Sequence, residues 1–421
     1  MNNAIRTISF CLIVACSHIV LAQDAKDSSQ SDWLNWRGPN GNGIVEDQTP
    51  PTEWSADKNV IWKTPVPGRG HASPTIVGDK ILLATADQTK KTQSVVAFDR
   101  ESGEKIWETE IHSGNFATKM HPKNTYASQT VVSDGTHAFV VFSNDDKIWV
   151  TALTLDGEKA WQKQAGTYRS KLPFGYGTSP TFHDGKLFVT SESEEEGFIL
   201  ALNPTDGEEI YRIDLTAGSS YSVPAVGTVA GKRQLLMAGN RQVAGYDVET
   251  GEQLWKAPTA WETCCGTMVW DDDLAFVSGG YPPKQTLAIR ADGSGEIVWK
   301  NSVKVYEQSM IVVDGYLYAQ ADGGIIYCWQ AVDGLEMWKS RVRGPESASP
   351  VLAGGHLYFT NEVGTTFVVK PNPEEFELVA TNQLGSSSFA SMTMLDNRIY
   401  TRVATGQRAD RKEWLYCLGE E

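Results

Sequence analysis

AFDRESGEKIW at 97–107 recurs along the chain as TALTLDGEKAW at 151–161, ALNPTDGEEIY at 201–211, GYDVETGEQLW at 245–255, IRADGSGEIVW at 289–299 and CWQAVDGLEMW at 328–338. Each copy begins with a small or apolar residue, carries Gly seventh and ends on Trp or Tyr eleventh. The eleventh positions lie 54, 50, 44, 44 and 39 residues apart. A period of roughly 40 to 50 residues built from short strands marks a β-propeller.

The residue types explain the unit. The run ahead of each turn (SVVAF, FILAL, TLAI, IIYCW) is β-branched and apolar, as suits a strand buried between neighbouring blades. Asp, Asn or Thr near Gly reverses the chain, because Gly accepts positive φ without steric cost. The aromatic residue that follows is placed on an outer strand, its ring filling the wedge toward the next blade.

Working outward, each unit is preceded by two further apolar runs joined by a polar turn, for instance ASPTIVGDKILLAT and TSPTFHDGKLFVTS. Eight such pairs are present, which predicts an all-β, eight-bladed propeller of four-stranded blades. The seventh blade has a degenerate turn, with Leu378 at the aromatic position, and the eighth stops after its third strand at LYCLGEE. Asn59-Val60-Ile61-Trp62-Lys63 reads as an outer strand without a blade of its own. It is expected to complete the eighth blade and close the ring, which removes exposed sheet edges.

The propeller is thus assigned to 59–421. Residues 1–22 read as a signal peptide, with Arg6, a short apolar run and Val20-Leu21-Ala22 as cleavage site. Ile13-Val14-Ala15-Cys16 also fits the lipoprotein pattern, which would leave Cys16 as a lipid anchor; without it no membrane contact is expected. Residues 23–58 comprise a polar leader and the Trp/Gly/Pro-rich WLNWRGPNGNGI stretch, expected to be ordered by packing on the propeller. The net charge is 37 − 52 = −15, and no basic run interleaves with aromatics, which argues against a nucleic-acid partner. The expected setting is periplasmic or secreted, with an envelope or extracellular protein or a small ligand as partner.

The first strand of each blade lines the channel, so loops entering it form a funnel. Aligning these strands on Ser73, Ser128, Ser179, Val223, Thr267, Ser309, Ser349 and Ser391 puts His71, Tyr126, Gly177, Tyr221, Cys265, Glu307, Ser347 and Phe389 at the mouth. Neighbouring loops add Arg69, Tyr176, Trp261, Glu262, Cys264, Tyr306 and Arg343. Loops at 111–126 and 164–177 are long enough to form a partial lid. Adjacent Cys264 and Cys265 read either as a vicinal disulfide or as two free thiols. No phosphate loop, nucleophile elbow, HExxH or zinc-like spacing is present, so no catalytic or metal residue is assigned.

The AxDxxTGExxW unit, clearest at 97–107 and 245–255, resembles the repeat of the pyrroloquinoline-quinone (PQQ) propeller superfamily across nearly the whole chain after residue 58. One branch, the quinoprotein alcohol dehydrogenases, holds PQQ and calcium in the funnel. That resemblance would put the cofactor near Cys264, Cys265, Trp261 and Glu262. The Cys pair here falls in the fifth blade rather than early in the chain, and no Asp matches that branch's base motif. The other branch is non-catalytic and includes the outer-membrane assembly lipoprotein BamB. It implies an exported scaffold or partner-binding protein working through the channel-mouth face, with a PQQ- and calcium-dependent alcohol or sugar dehydrogenase as the alternative.

Overall fold

The computed structural model describes residues 32–117 and 120–420. The signal-peptide and Cys16 readings lie outside the described residues. Eight antiparallel sheets follow one another around a central channel. The first blade comprises Thr75–Val77, Lys80–Asp87, Thr92–Asp99 and Lys105–Ser113, from channel to rim. The next six blades repeat that order, their inner strands starting at Val132, Thr181, Ala225, Val269, Ile311 and Val351. The middle strands are buried along almost their full length, because each blade is covered on both faces by its neighbours.

The eighth blade is built from both ends of the chain. Thr393–Leu395, Arg398–Thr405 and Lys412–Leu418 supply three strands, and Val60–Val66 pairs antiparallel with the last of them, Trp62 opposite Cys417. The ring is therefore closed as the repeat count requires.

The repeated Gly and Trp work together across blade boundaries. Trp62 Nε1 donates to Arg100 O, Trp107 to Leu155 O, Trp161 to Pro204 O and Trp299 to Ala331 O, at 2.8–3.2 Å; Tyr211 donates its hydroxyl to Val248 O at 2.7 Å. Each ring then lies over the repeat Gly of the following blade. A Cβ at Gly103 would stand 2.5 Å from Trp62, one at Gly157 2.7 Å from Trp107, and one at Gly207 2.8 Å from Trp161. The Asp of the motif holds the turn open for this contact: Asp99 Oδ1 accepts from the backbone of Glu101 and Ser102, and Asp247 does the same for Glu249 and Thr250. Those bonds favour the ionised carboxylate and lower both pKa values. The junction after the fourth blade departs from the pattern, because Trp255 turns inward to donate to Gln234.

The segment before the propeller crosses the channel at the end opposite the mouth. Trp33 exchanges two backbone hydrogen bonds with Ile76 of the first blade, Leu34 O accepts from Ser133 N of the second, and Asn35 brackets Phe182 of the third. Trp36 donates to Ser391 of the eighth blade at 3.3 Å and Arg37 to Met310 O of the sixth at 2.6 Å. Ile44–Val45 then pairs in parallel with Leu352 and Ala353, adding a fifth strand inside the seventh blade. Six of the eight blades are thus tied to one short stretch. Beyond it, Thr49 binds Asn397 and Trp54 stacks on Tyr358 with centroids 6.2 Å apart.

Candidate functional site

Hydroxyl groups stitch the inner strands into a ring. Ser73 N donates to Thr130 Oγ1, Thr130 N to Ser179 Oγ, Thr267 N to Ser309 Oγ, Ser309 N to Ser349 Oγ, Ser349 N to Ser391 Oγ and Ser391 N to Ser73 Oγ, all at 2.9–3.1 Å. Small hydroxyl residues recur here because each must both leave the channel open and accept an N–H from the blade before it. The ring corrects one alignment: in the second blade its member is Thr130, two residues beyond Ser128. Ser128, and not Tyr126, therefore stands at the mouth.

With that register, His71, Ser128, Gly177, Tyr221, Cys265, Glu307, Ser347 and Phe389 all line one cavity of about 430 Å³. All eight blades contribute one residue each to this rim. Trp36 closes its floor, and Phe174, His121 and Lys123 reach over it from the two long loops. The walls are aromatic: His71 stacks on Phe389 at 4.2 Å, and Tyr221 meets Phe174 edge-on at 6.3 Å. Burial, with Arg69 and Arg402 nearby, holds the His71 imidazole well below its usual pKa, so it is neutral at pH 7. Its Nε2 is buried and has no partner among the described residues.

The polar side of the rim lies at the sixth and seventh blades. Ser347 Oγ is within hydrogen-bond reach of both the Glu307 and the Glu362 carboxylates, and Lys123 Nζ lies 2.7 Å from Glu362 Oε1. Just outside, Glu346 accepts from Gln320, and burial pushes its carboxyl up to about 7. Cys265 faces the cavity beside Tyr306, and burial raises its thiol well above the ordinary range. A thiol so raised is not a nucleophile at neutral pH.

The other sequence candidates lie elsewhere. Tyr126 and Tyr176 line a second cavity of about 350 Å³ between the long loops, where Tyr126 donates to Ala117 O and Tyr176 to Thr190 O. Cys264 is buried and its thiol points to Ser278 O; neither it nor Cys265 is in a disulfide. Trp261 is fully buried against Gly279. Glu262 pairs with Arg241 at the surface, Arg343 is exposed, and half-buried Arg69 lies beneath Pro122 O. Of the four residues that the dehydrogenase resemblance places around PQQ, only Cys265 reaches the funnel. The residues present do not fit that cofactor. The sequence alignment does not place Trp36 at the mouth, though the WLNWRG stretch signals it, and it puts Ser128 in the ring, where only the hydrogen bonds show that Thr130 belongs.

A family model described as outer membrane protein assembly factor BamB matches residues 44–146, 146–280 and 283–403. The outer membrane protein assembly factor BamB of Yersinia pestis is 25% identical over 368 residues, covering 82% of this chain and 85% of that protein. Among solved structures, BamB from Moraxella catarrhalis superposes with a TM-score of 0.58 at 14% identity, covering 85% of this chain and 96% of that one. A europium-containing methanol dehydrogenase superposes with a TM-score of 0.66 at 10% identity, covering 93% and 99%. At such identities the structural likenesses speak to the fold alone.

Proposed function

The chain belongs to the family of the outer membrane protein assembly factor BamB, and from that premise we propose that it is an exported, non-catalytic scaffold that binds an envelope protein through its channel mouth. The observation that carries this reading is the rim: eight blades and two long loops converge on one aromatic cavity with an unpaired imidazole nitrogen at its wall. An opening of that kind suits insertion of a partner's side chains, with aromatic rings supplying contact area at low entropic cost. The acidic residues at the sixth and seventh blades, partly neutralised by Lys123, add polar specificity at the rim. By this reading the protein works in the periplasm, free or anchored through Cys16.

A photo-crosslinking residue placed at Phe389 and, as control, at Ile210 on the exposed rim strand of the third blade tests the proposal in cells. Crosslinks from position 389 to a defined envelope protein, absent from position 210, are expected. Equal crosslinking from both positions would sink the mouth as the binding face. Saturable calcium-dependent heat on titration with PQQ would instead overturn the non-catalytic reading.

A further inference from the structure

Arg37 is 2% exposed, held inside the channel behind the Trp36 floor. Its Nη2 donates to Asn42 O at 2.9 Å and to Met310 O at 2.6 Å. Nε and Nη1 are buried and have no partner among the described residues, and no carboxylate among them pairs with the guanidinium. Burial pulls its pKa down to about 9, which still leaves the group charged at neutral pH. A buried cation solvated by two carbonyls on one side only is a costly arrangement unless something else pairs with it.

The side chain is held where it is. Arg37 has φ 67°, Gly43 N donates to Arg37 O at 2.9 Å, and a Cβ at Gly43 would lie 2.7 Å from Nη2 and 3.0 Å from Pro350 O. Met310 and Pro350 directly follow ring members Ser309 and Ser349, so the guanidinium lies at the hydroxyl ring. In that ring, six hydroxyls accept an N–H from the blade before. Thr267 Oγ1, on the strand whose N–H binds Ser309, is the ring hydroxyl that is buried with no partner among the described residues. Arg37 Nε and Nη1 therefore stand beside the hydroxyl ring with no acceptor among the described residues.

We propose that the channel holds a small monovalent anion of chloride size, accepting from Arg37 Nε and Nη1. The ion neutralises the buried charge and pins the 33–45 stretch across the channel. Inorganic chloride fits better than a carboxylate ligand, because Trp36 separates Arg37 from the funnel and closes it to larger anions entering from the mouth.

The test uses the mature chain prepared in sodium gluconate, with chloride or bromide added at constant ionic strength. A saturable rise of several degrees in melting temperature is expected for the wild type, and none for Arg37→Met, which keeps the apolar stem and loses the charge. Wild-type crystals grown in bromide should show an anomalous peak within hydrogen-bond distance of Nε and Nη1, a reading that stands even if the variant does not fold. Equal melting in chloride and gluconate overturns the proposal. So does a bromide crystal with only water at Arg37, or a bromide peak without any halide-dependent melting.

Discussion

Glu192 shows how a single side chain can set a pH dependence. It is 3% exposed, at the end of Lys186–Glu192, with one backbone bond from Asn240 N at 3.1 Å, and it fits only because Gly239 has no Cβ. Burial pushes its carboxyl up to about 8, against roughly 4.3 in an unfolded chain. The folded state then keeps a proton that the unfolded state has lost, so stability is full below pH 4 and falls as pH rises toward 8. The slope is at most about 1.4 kcal/mol per pH unit. Glu192→Gln should flatten that decline, as urea melts at pH 5 and pH 8 would show. A second residue-scale expectation concerns the repeat Gly: Gly207→Ala meets φ 69° and the Trp161 ring at once, and should cost roughly 1–3 kcal/mol in the same melts.

At the scale of elements, the stretch 33–54 behaves as a floor and a strap. Trp33 is 1% exposed, and its ring lies over Gly38 while its backbone pairs with Ile76. Trp33→Ala should cost about 3–5 kcal/mol in thermal or urea unfolding if the floor is part of the cooperative core. A loss below 1 kcal/mol would mean that the floor docks independently. The blades were legible because Gly and Trp serve the same contact at every boundary and so recur at fixed spacing. That the 33–44 stretch packs on the propeller was legible in its Trp, Gly and Pro content, but its course across the channel was not, because its partners are scattered groups on six blades far apart in sequence, and such pairings leave no periodic mark. The second blade shows the same limit. Its inner strand is two residues long, Val132–Ser133, and ASQT imitates the ASPT of the first blade, so pattern alone chose Ser128 over Thr130. Inward-facing residues of the mouth were predicted where the inner strand aligned correctly, as at His71, Tyr221, Cys265 and Glu307. Loop residues such as Trp261 and Arg343, expected at the funnel, do not line it, because their direction is set by loop packing.

Across the whole molecule, stability depends on closing the ring. Val60–Val66 and Lys412–Leu418 are consecutive strands of one blade although the chain between them makes all the others. Arg402, buried in that blade, binds Glu413 at 3.1 Å and reaches Ala84 O of the first blade at 2.8 Å, so the seam is also stitched sideways. A chain ending before Trp414 should lose its single sharp melting transition, because it exposes two strand edges and removes the strand that holds Glu413 against Arg402. A truncated chain that melts as sharply and as high as the parent would refute the seam.

The floor stretch also has a place in time. Residues 33–54 are synthesised before every blade, yet Trp36 needs Ser391 and Thr49 needs Asn397, both in the eighth. A segment made before every blade is therefore the last to be fully seated: Trp33 finds Ile76 with the first blade, but Trp36 has no Ser391 until the eighth is made.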